Sequence, residues 1–156
     1  MADDAVRLLV FRVGSERFAL PLGAVDEVVD LPPVQRLPDS TPSVLGIATL
    51  RGEIVSIQDP RTLLGAGNGS YAALLLFDDD TRRIGLAIDD VYDPILMESD
   101  ELRSAPGVDA SDGLLRGVVR RGTDLIAVLE VDALLRTMNA AENDPRSMGD
   151  DAKEES

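Results

Sequence analysis

The stretch Gly46-Ile-Ala-Thr-Leu-Arg-Gly-Glu-Ile-Val-Ser-Ile-Gln-Asp59 reads as two apolar strands meeting at a turn, with Arg51 set directly before the turn glycine. Glycine accepts positive φ there at little cost, which is what a tight hairpin demands. The fold is decided by the fact that the chain repeats this statement. Gly46 to Leu64 matches Gly117 to Leu135 at an offset of 71, and the gapless body of the match runs from Glu53-Ile54 over Asp124-Leu125 to the paired leucines. Each copy reads as strand, glycine turn, strand and one short helical turn.

A second repeat lies upstream of each copy. Val10 to Leu22 matches Leu76 to Ile88 at an offset of 66, so that Phe11 falls on Phe77, Phe18 on Ile84 and Leu20 on Leu86. Both read as strand, tight polar turn and strand, the second strand carrying the apolar alternation of a half-buried sheet. Two copies of a small all-β unit predict two small barrels or curled sheets side by side, sharing an apolar seam. The first half occupies mainly residues 10–65 and the second mainly 74–135, with room for strands to be exchanged between them. Pro21 to Asp30 predicts a short helix, because Leu22, Val25 and Val28 or Val29 recur at helical spacing, and Leu31-Pro-Pro ends it. Residues 1–5 read as a loose lead and 6–137 as the folded body. Residues 138–156 are polar and acidic without periodicity, the signature of a disordered tail.

Composition removes whole classes of function. The 156 residues carry a formal net charge of −14, which argues against a nucleic-acid partner and against unaided docking on an anionic membrane. No apolar run approaches the length of a membrane span, and no basic-then-apolar leader opens the chain, so a cytoplasmic location is expected, with no direct membrane insertion. Histidine and cysteine are absent, and the one lysine is Lys153. Ser-His-Asp and Cys-His catalysis, Schiff-base lysine and zinc held by His or Cys are thereby excluded.

Carboxylates remain. Asp78-Asp79-Asp80 lacks the spacing of a calcium loop and reads as turn acids. Asp89, Asp90 and Asp93 would make an acid–base site for a hydrolase only if two of them were buried together. Asn68-Gly69-Ser70 fits a glycosylation pattern but reads more simply as a turn between the halves. No metal, cofactor or catalytic residue is expected. Arg51, with Arg36 and Arg61, is the cationic set of the first half. Its planar fork suits either a structural tie or a rigid docking contact. Glu27, among Val25, Val28 and Val29, stands at the border of core and solvent, as a salt-bridge end or an interface rim would.

These features together resemble the chemotaxis coupling-protein family, the CheW-like domain. The resemblance rests on Leu9-Val-Phe-Arg-Val-Gly-Ser-Glu-Arg-Phe-Ala-Leu-Pro21, Val25-Asp-Glu-Val28, Gly46-Ile-Ala-Thr-Leu-Arg-Gly52 and the closing Gly117 to Leu135. It implies two five-stranded β-barrels around a hydrophobic core. It also implies a non-catalytic adaptor that links the helical cytoplasmic tips of methyl-accepting chemoreceptors to the regulatory domain of a CheA-type histidine kinase, recruited to membrane receptor arrays. The protein-binding candidates are Val25, Glu27, Val28, Gly46, Thr49, Leu50, Arg51, Gly52 and Gln58. Thr49, Ser56, Gln58 and Pro60 depart from the usual family pattern. They leave open a diverged module that binds one partner only, as a regulator or decoy.

Overall fold

The computed structural model describes residues 5–38, 42–79, 82–104 and 113–142. The expected loose lead lies largely outside these residues, as does the expected tail from residue 143 onward, whereas residues 138–142 of that tail are helical and Met138 is buried in the core. Ten strands and two helices follow in order: β1 (Val6–Val13), β2 (Glu16–Pro21), β3 (Glu27–Asp30), β4 (Val44–Leu50), β5 (Glu53–Gln58), α1 (Pro60–Leu64), β6 (Ala73–Asp79), β7 (Arg82–Ile88), β8 (Asp90–Met97), β9 (Leu115–Arg121), β10 (Asp124–Leu129) and α2 (Val131–Glu142).

The strands form two five-stranded sheets, ordered β8-β1-β2-β10-β9 and β3-β6-β7-β5-β4. Replacing every strand of the first order by its repeat counterpart gives the second. Each sheet therefore joins strands from both repeats. Two pairings in each sheet cross between the repeats, one antiparallel (β1 with β8, β3 with β6) and one parallel (β2 with β10, β5 with β7), and all remaining neighbours are antiparallel. The duplication reaches single hydrogen bonds. Asp59 N–H donates to the Ser43 carbonyl at 2.7 Å, and Glu130 N–H to the Leu114 carbonyl at 2.8 Å, both shifted by the same 71 residues.

Strands β2 and β7 are apolar on both faces, which corrects the half-buried reading. Phe18 and Leu20 enter the core between the sheets with Ile84, Leu86 and Ile88, whereas Ala19 and Ala87 line smaller clusters on the far faces. The alternation is of large against small side chains. Small residues on the far face let each sheet bend tightly: a Cβ on Gly85 would sit 2.6 Å from Leu74 Cδ1. The shared core holds Phe11, stacked on Phe18 at a centroid distance of 5.7 Å, together with Phe77 and Leu134 of α2.

The expected closed barrels are not formed. Both sheets curl but stay open, and the edge strands β8 and β9, like β3 and β4, share no ladder. One isolated bridge spans each gap, Gln35 with Ile47 and Arg103 with Val118. Proline explains the interruption: Pro32 and Pro33 follow β3 and Pro94 lies within β8, so the edges lack N–H donors for a continuous ladder. The glycines Gly46 and Gly117 make the bridges sterically possible. A Cβ on Gly46 would collide with the Gln35 carbonyl, and one on Gly117 would lie 2.7 Å from that of Arg103.

Two smaller expectations also change. The predicted helix over Pro21 to Asp30 is a 3-10 turn, Leu22–Ala24, followed by β3. Pairing with β6 overrides the helical spacing, and the β-branched valines suit a strand. Pro60, one of the departures from the family pattern, is buried at the first position of α1, where its missing N–H costs nothing.

Candidate docking face

The β4–β5 hairpin turns on Arg51 and Gly52, with φ of 50° and 84°, the sign pattern of a type I′ turn. Arg51 is the one non-glycine with positive φ among the described residues. In the other repeat its position falls on Gly122, φ 62°. The chain thus keeps a long cation where the turn prefers glycine, and left-handed backbone is unfavourable for a residue with a Cβ.

The guanidinium pairs with both carboxylate oxygens of Glu27 at the start of β3. Arg83 of β7 reaches Glu27 at 3.4 Å and Asp78 of β6 at 2.8 Å. Asp26 adds a hydrogen bond from the Asp78 N–H. Three strands and one turn therefore meet in a charged cluster at one end of the sheet. The Arg51 hydrogen bond and the neighbouring positive charges of Arg51 and Arg83 hold the Glu27 carboxyl below its ordinary range, against a smaller opposing effect of desolvation. The same pairing raises Arg51. The Arg51 side chain is 59% exposed, so its fork is held by Glu27 on one side and open to solvent on the other.

An apolar groove lies along the same hairpin, lined by Pro33, Val34, Gln35, Ile47, Thr49 and Ile54. Ile54 is 72% exposed. Its counterpart in the other repeat, Leu125, is 63% exposed and stands beside a groove framed by Asp100, Glu101, Arg103 and Arg120. Arg121 ties that end by pairing with Glu101 and donating to the Leu96 carbonyl. The repeats thus present related grooves of different character, one without charged lining and one ringed by charge.

The nine sequence candidates divide. Glu27, Val28, Thr49, Arg51 and Gly52 reach the surface on β3 and the β4–β5 hairpin, with Val28 39% exposed. Val25 packs against the shared core and Leu50 against the far-face cluster of the β4–β5 sheet. Gly46 is buried under the Gln35 carbonyl. Gln58 is wholly buried in β5, and among the described residues neither its amide oxygen nor its nitrogen has a hydrogen-bond partner. It touches no surface. Sequence reasoning passed over Ile54, Leu125, Asp78 and Arg83. Ile54 was findable: Val55 and Ile57 point inward, so strand alternation sends Ile54 outward. Nothing in the spacing announces that Arg83 meets Glu27.

The acids offer no paired site. Asp89 is buried and salt-bridged to Arg12 at 3.4 Å, while Asp90 and Asp93 are exposed. Among the described residues no group of three or more His, Cys, Asp or Glu could hold a metal ion, and no helix is long and apolar enough to cross a membrane.

Known proteins agree with this architecture. The chain is 26% identical over 141 residues to the chemotaxis protein CheW of Treponema pallidum, covering 85% of this chain and 83% of that protein. It is also 26% identical over 139 residues to the chemotaxis protein CheW of Rhizobium meliloti, covering 86% and 90%. The crystal structure of the scaffolding protein TtCheW from Thermoanaerobacter tengcongensis superposes with a TM-score of 0.68 at 21% identity, over 80% of this chain and 88% of that one. The family model for the CheW-like domain matches residues 7–138, so the open paired sheets, the Arg51 hairpin and the repeat that builds them are those of a chain that belongs to the CheW-like domain family.

Proposed function

We propose that this protein is a non-catalytic adaptor of chemotaxis signalling that holds the cytoplasmic helices of a chemoreceptor and the regulatory domain of a CheA-type histidine kinase in one assembly. It works in the cytoplasm, at membrane receptor arrays. The observation that carries the reading is the duplication with unequal ends. Ile54 and Leu125 stand at equivalent positions of two sheets joined by one core, so a single rigid body offers two exposed apolar contacts. A coupler needs two addresses that do not compete, and the charge around Leu125 gives one end a different specificity from the other. Glu27, Val28, Thr49, Arg51 and Gly52 form the rim of the Ile54 end, beside a groove whose own lining is uncharged.

Paired substitutions test this. Ile54→Asp and Leu125→Asp in the folded protein are titrated against the kinase regulatory domain and a receptor cytoplasmic fragment. Each variant is expected to lose one partner and keep the other. Retention of both partners by both variants would overturn the two-ended reading. The single-partner alternative rests mainly on Thr49, which alone of the four departures is exposed, while Gln58 and Pro60 are internal.

A further inference from the structure

Between α1 and β6 the chain crosses from the first repeat to the second through Gly67-Asn68-Gly69-Ser70, which packs on the β1–β2 turn. Three contacts pin it. Gly67 N–H donates to Glu16 at 3.1 Å, Ser70 N–H to Asp89 Oδ2 at 2.9 Å, and a Cβ on Gly14 would lie 2.7 Å from the Asn68 carbonyl oxygen. Position 69 admits no side chain. A Cβ there would overlap the buried Asp89 carboxylate, which Arg12 holds in place. Packing thus forces glycine to follow Asn68, and Asn68 itself is exposed.

That neighbour pair has chemistry of its own. Glycine puts no Cβ beside the backbone nitrogen of residue 69, and the Asn68 side chain next to it is exposed. Arg61 Nη1 donates to Asn68 Oδ1 at 3.3 Å, drawing electron density from the side-chain carbonyl carbon. We propose that Asn68-Gly69 is a self-modification site, converted through a cyclic succinimide without any enzyme. The Gly69 nitrogen gives up its proton to solvent base and attacks Asn68 Cγ. The new N–Cγ bond forms as the Cγ–Nδ2 bond breaks, and the amide nitrogen leaves as ammonia after taking a proton from water. Water then opens the ring at either carbonyl. One product is aspartate, and the other is isoaspartate, whose main chain runs through the former side chain. Both add a negative charge beside Arg61. The second also lengthens the strap between the repeats by one carbon and displaces Gly69 from Asp89.

The full-length native protein is aged in mildly alkaline and mildly acidic buffer and digested with trypsin. The peptides beginning at Thr62 and at Thr137 are then followed by mass and by methylation with an isoaspartyl-specific carboxyl methyltransferase. Conversion of Asn68 ahead of Asn139, faster in alkali and abolished in Asn68→Ser, is the expected result. An Asn68 that stays an amide in the native protein while Asn139 converts would overturn the proposal. So would conversion seen only after the protein is unfolded in urea, because the native strap would then protect rather than permit the reaction.

Discussion

Arg51 reaches from the β4–β5 turn to Glu27 at the start of β3, so one ion pair joins the two edge strands of the same open sheet. Arg121 and Glu101 do the same between β9 and the turn after β8 in the other sheet. Each sheet is fastened at its gap by one backbone bridge and one arginine. Tie and docking contact are compatible roles for Arg51, and the two separate experimentally.

Arg51→Gly separates them. Glycine relaxes the left-handed turn while the exposed ion pair is lost, and these effects oppose each other. The melting temperature should stay close to that of the parent while affinity for the partner at the Ile54 end falls. Normal binding by the folded variant would leave Arg51 as a tie alone. A collapse of the melting temperature would mean that the fastening matters more than the turn.

Gln58 is the clearest flaw in the interior. Its counterpart Leu129 is a core residue, whereas Gln58 buries an amide with no partner. Gln58→Leu should raise the unfolding free energy by about 1–3 kcal/mol in urea titrations, the usual cost of an unsatisfied buried polar group. A drop in stability would show that the amide is satisfied in solution.

Gly46→Ala should be costly for the opposite reason. The new methyl group would strike the Gln35 carbonyl and push away the strand segment that bridges to Ile47. A loss of roughly 2 kcal/mol or more is expected, as for other overpacked backbone contacts. Hydrogen exchange should show the Ile47 amide opening first.

The pH dependence follows from three carboxylates. Glu27 and Glu101 are held down by arginine hydrogen bonds. Asp59, which burial pushes upward, is carried below its ordinary range by donors from Arg61 and Tyr71. A depressed carboxyl contributes stability that is present above its unfolded pKa and lost as pH falls through its folded one. Unfolding free energy should therefore decline below the ordinary carboxylate range. Asp59→Asn should flatten that acid limb while costing about 1–3 kcal/mol at neutral pH. Burial and Asp59 raise Tyr71 above its ordinary 10.0, so its contribution is full below that value and fades as pH climbs beyond it. Chemical denaturation across pH, repeated on Asp59→Asn and Tyr71→Phe, measures both limbs.

The repeats made most of the architecture legible. Phe11 over Phe77 and Leu20 over Leu86 located equivalent strands correctly because buried positions tolerate few side-chain types. Closure was not legible, since alternation reports which face is buried and says nothing of what an edge meets. The prolines were visible in the sequence, but their effect depends on which strands lie at the edge. The site was partly legible for the same reason. Arg51, Glu27 and Thr49 stand out by chemistry, whereas Gln58 looked like a surface departure because a polar letter in a strand is read as outward. Arg83 became part of the cluster only through the pairing of β7 with β6 and of β6 with β3.

The parallel pairing of β2 with β10 has a consequence for how this chain acquires its shape. β10 follows the other nine described strands in the chain, yet it lies between β2 and β9 inside its sheet. The β1–β2 hairpin cannot complete its sheet until residue 129 has been made. Contacts between the two ends of the chain must form across a large loop, so folding should be slow, cooperative and intolerant of truncation before Leu129. Neither repeat can be expressed as a working half. The two repeats make one folding unit.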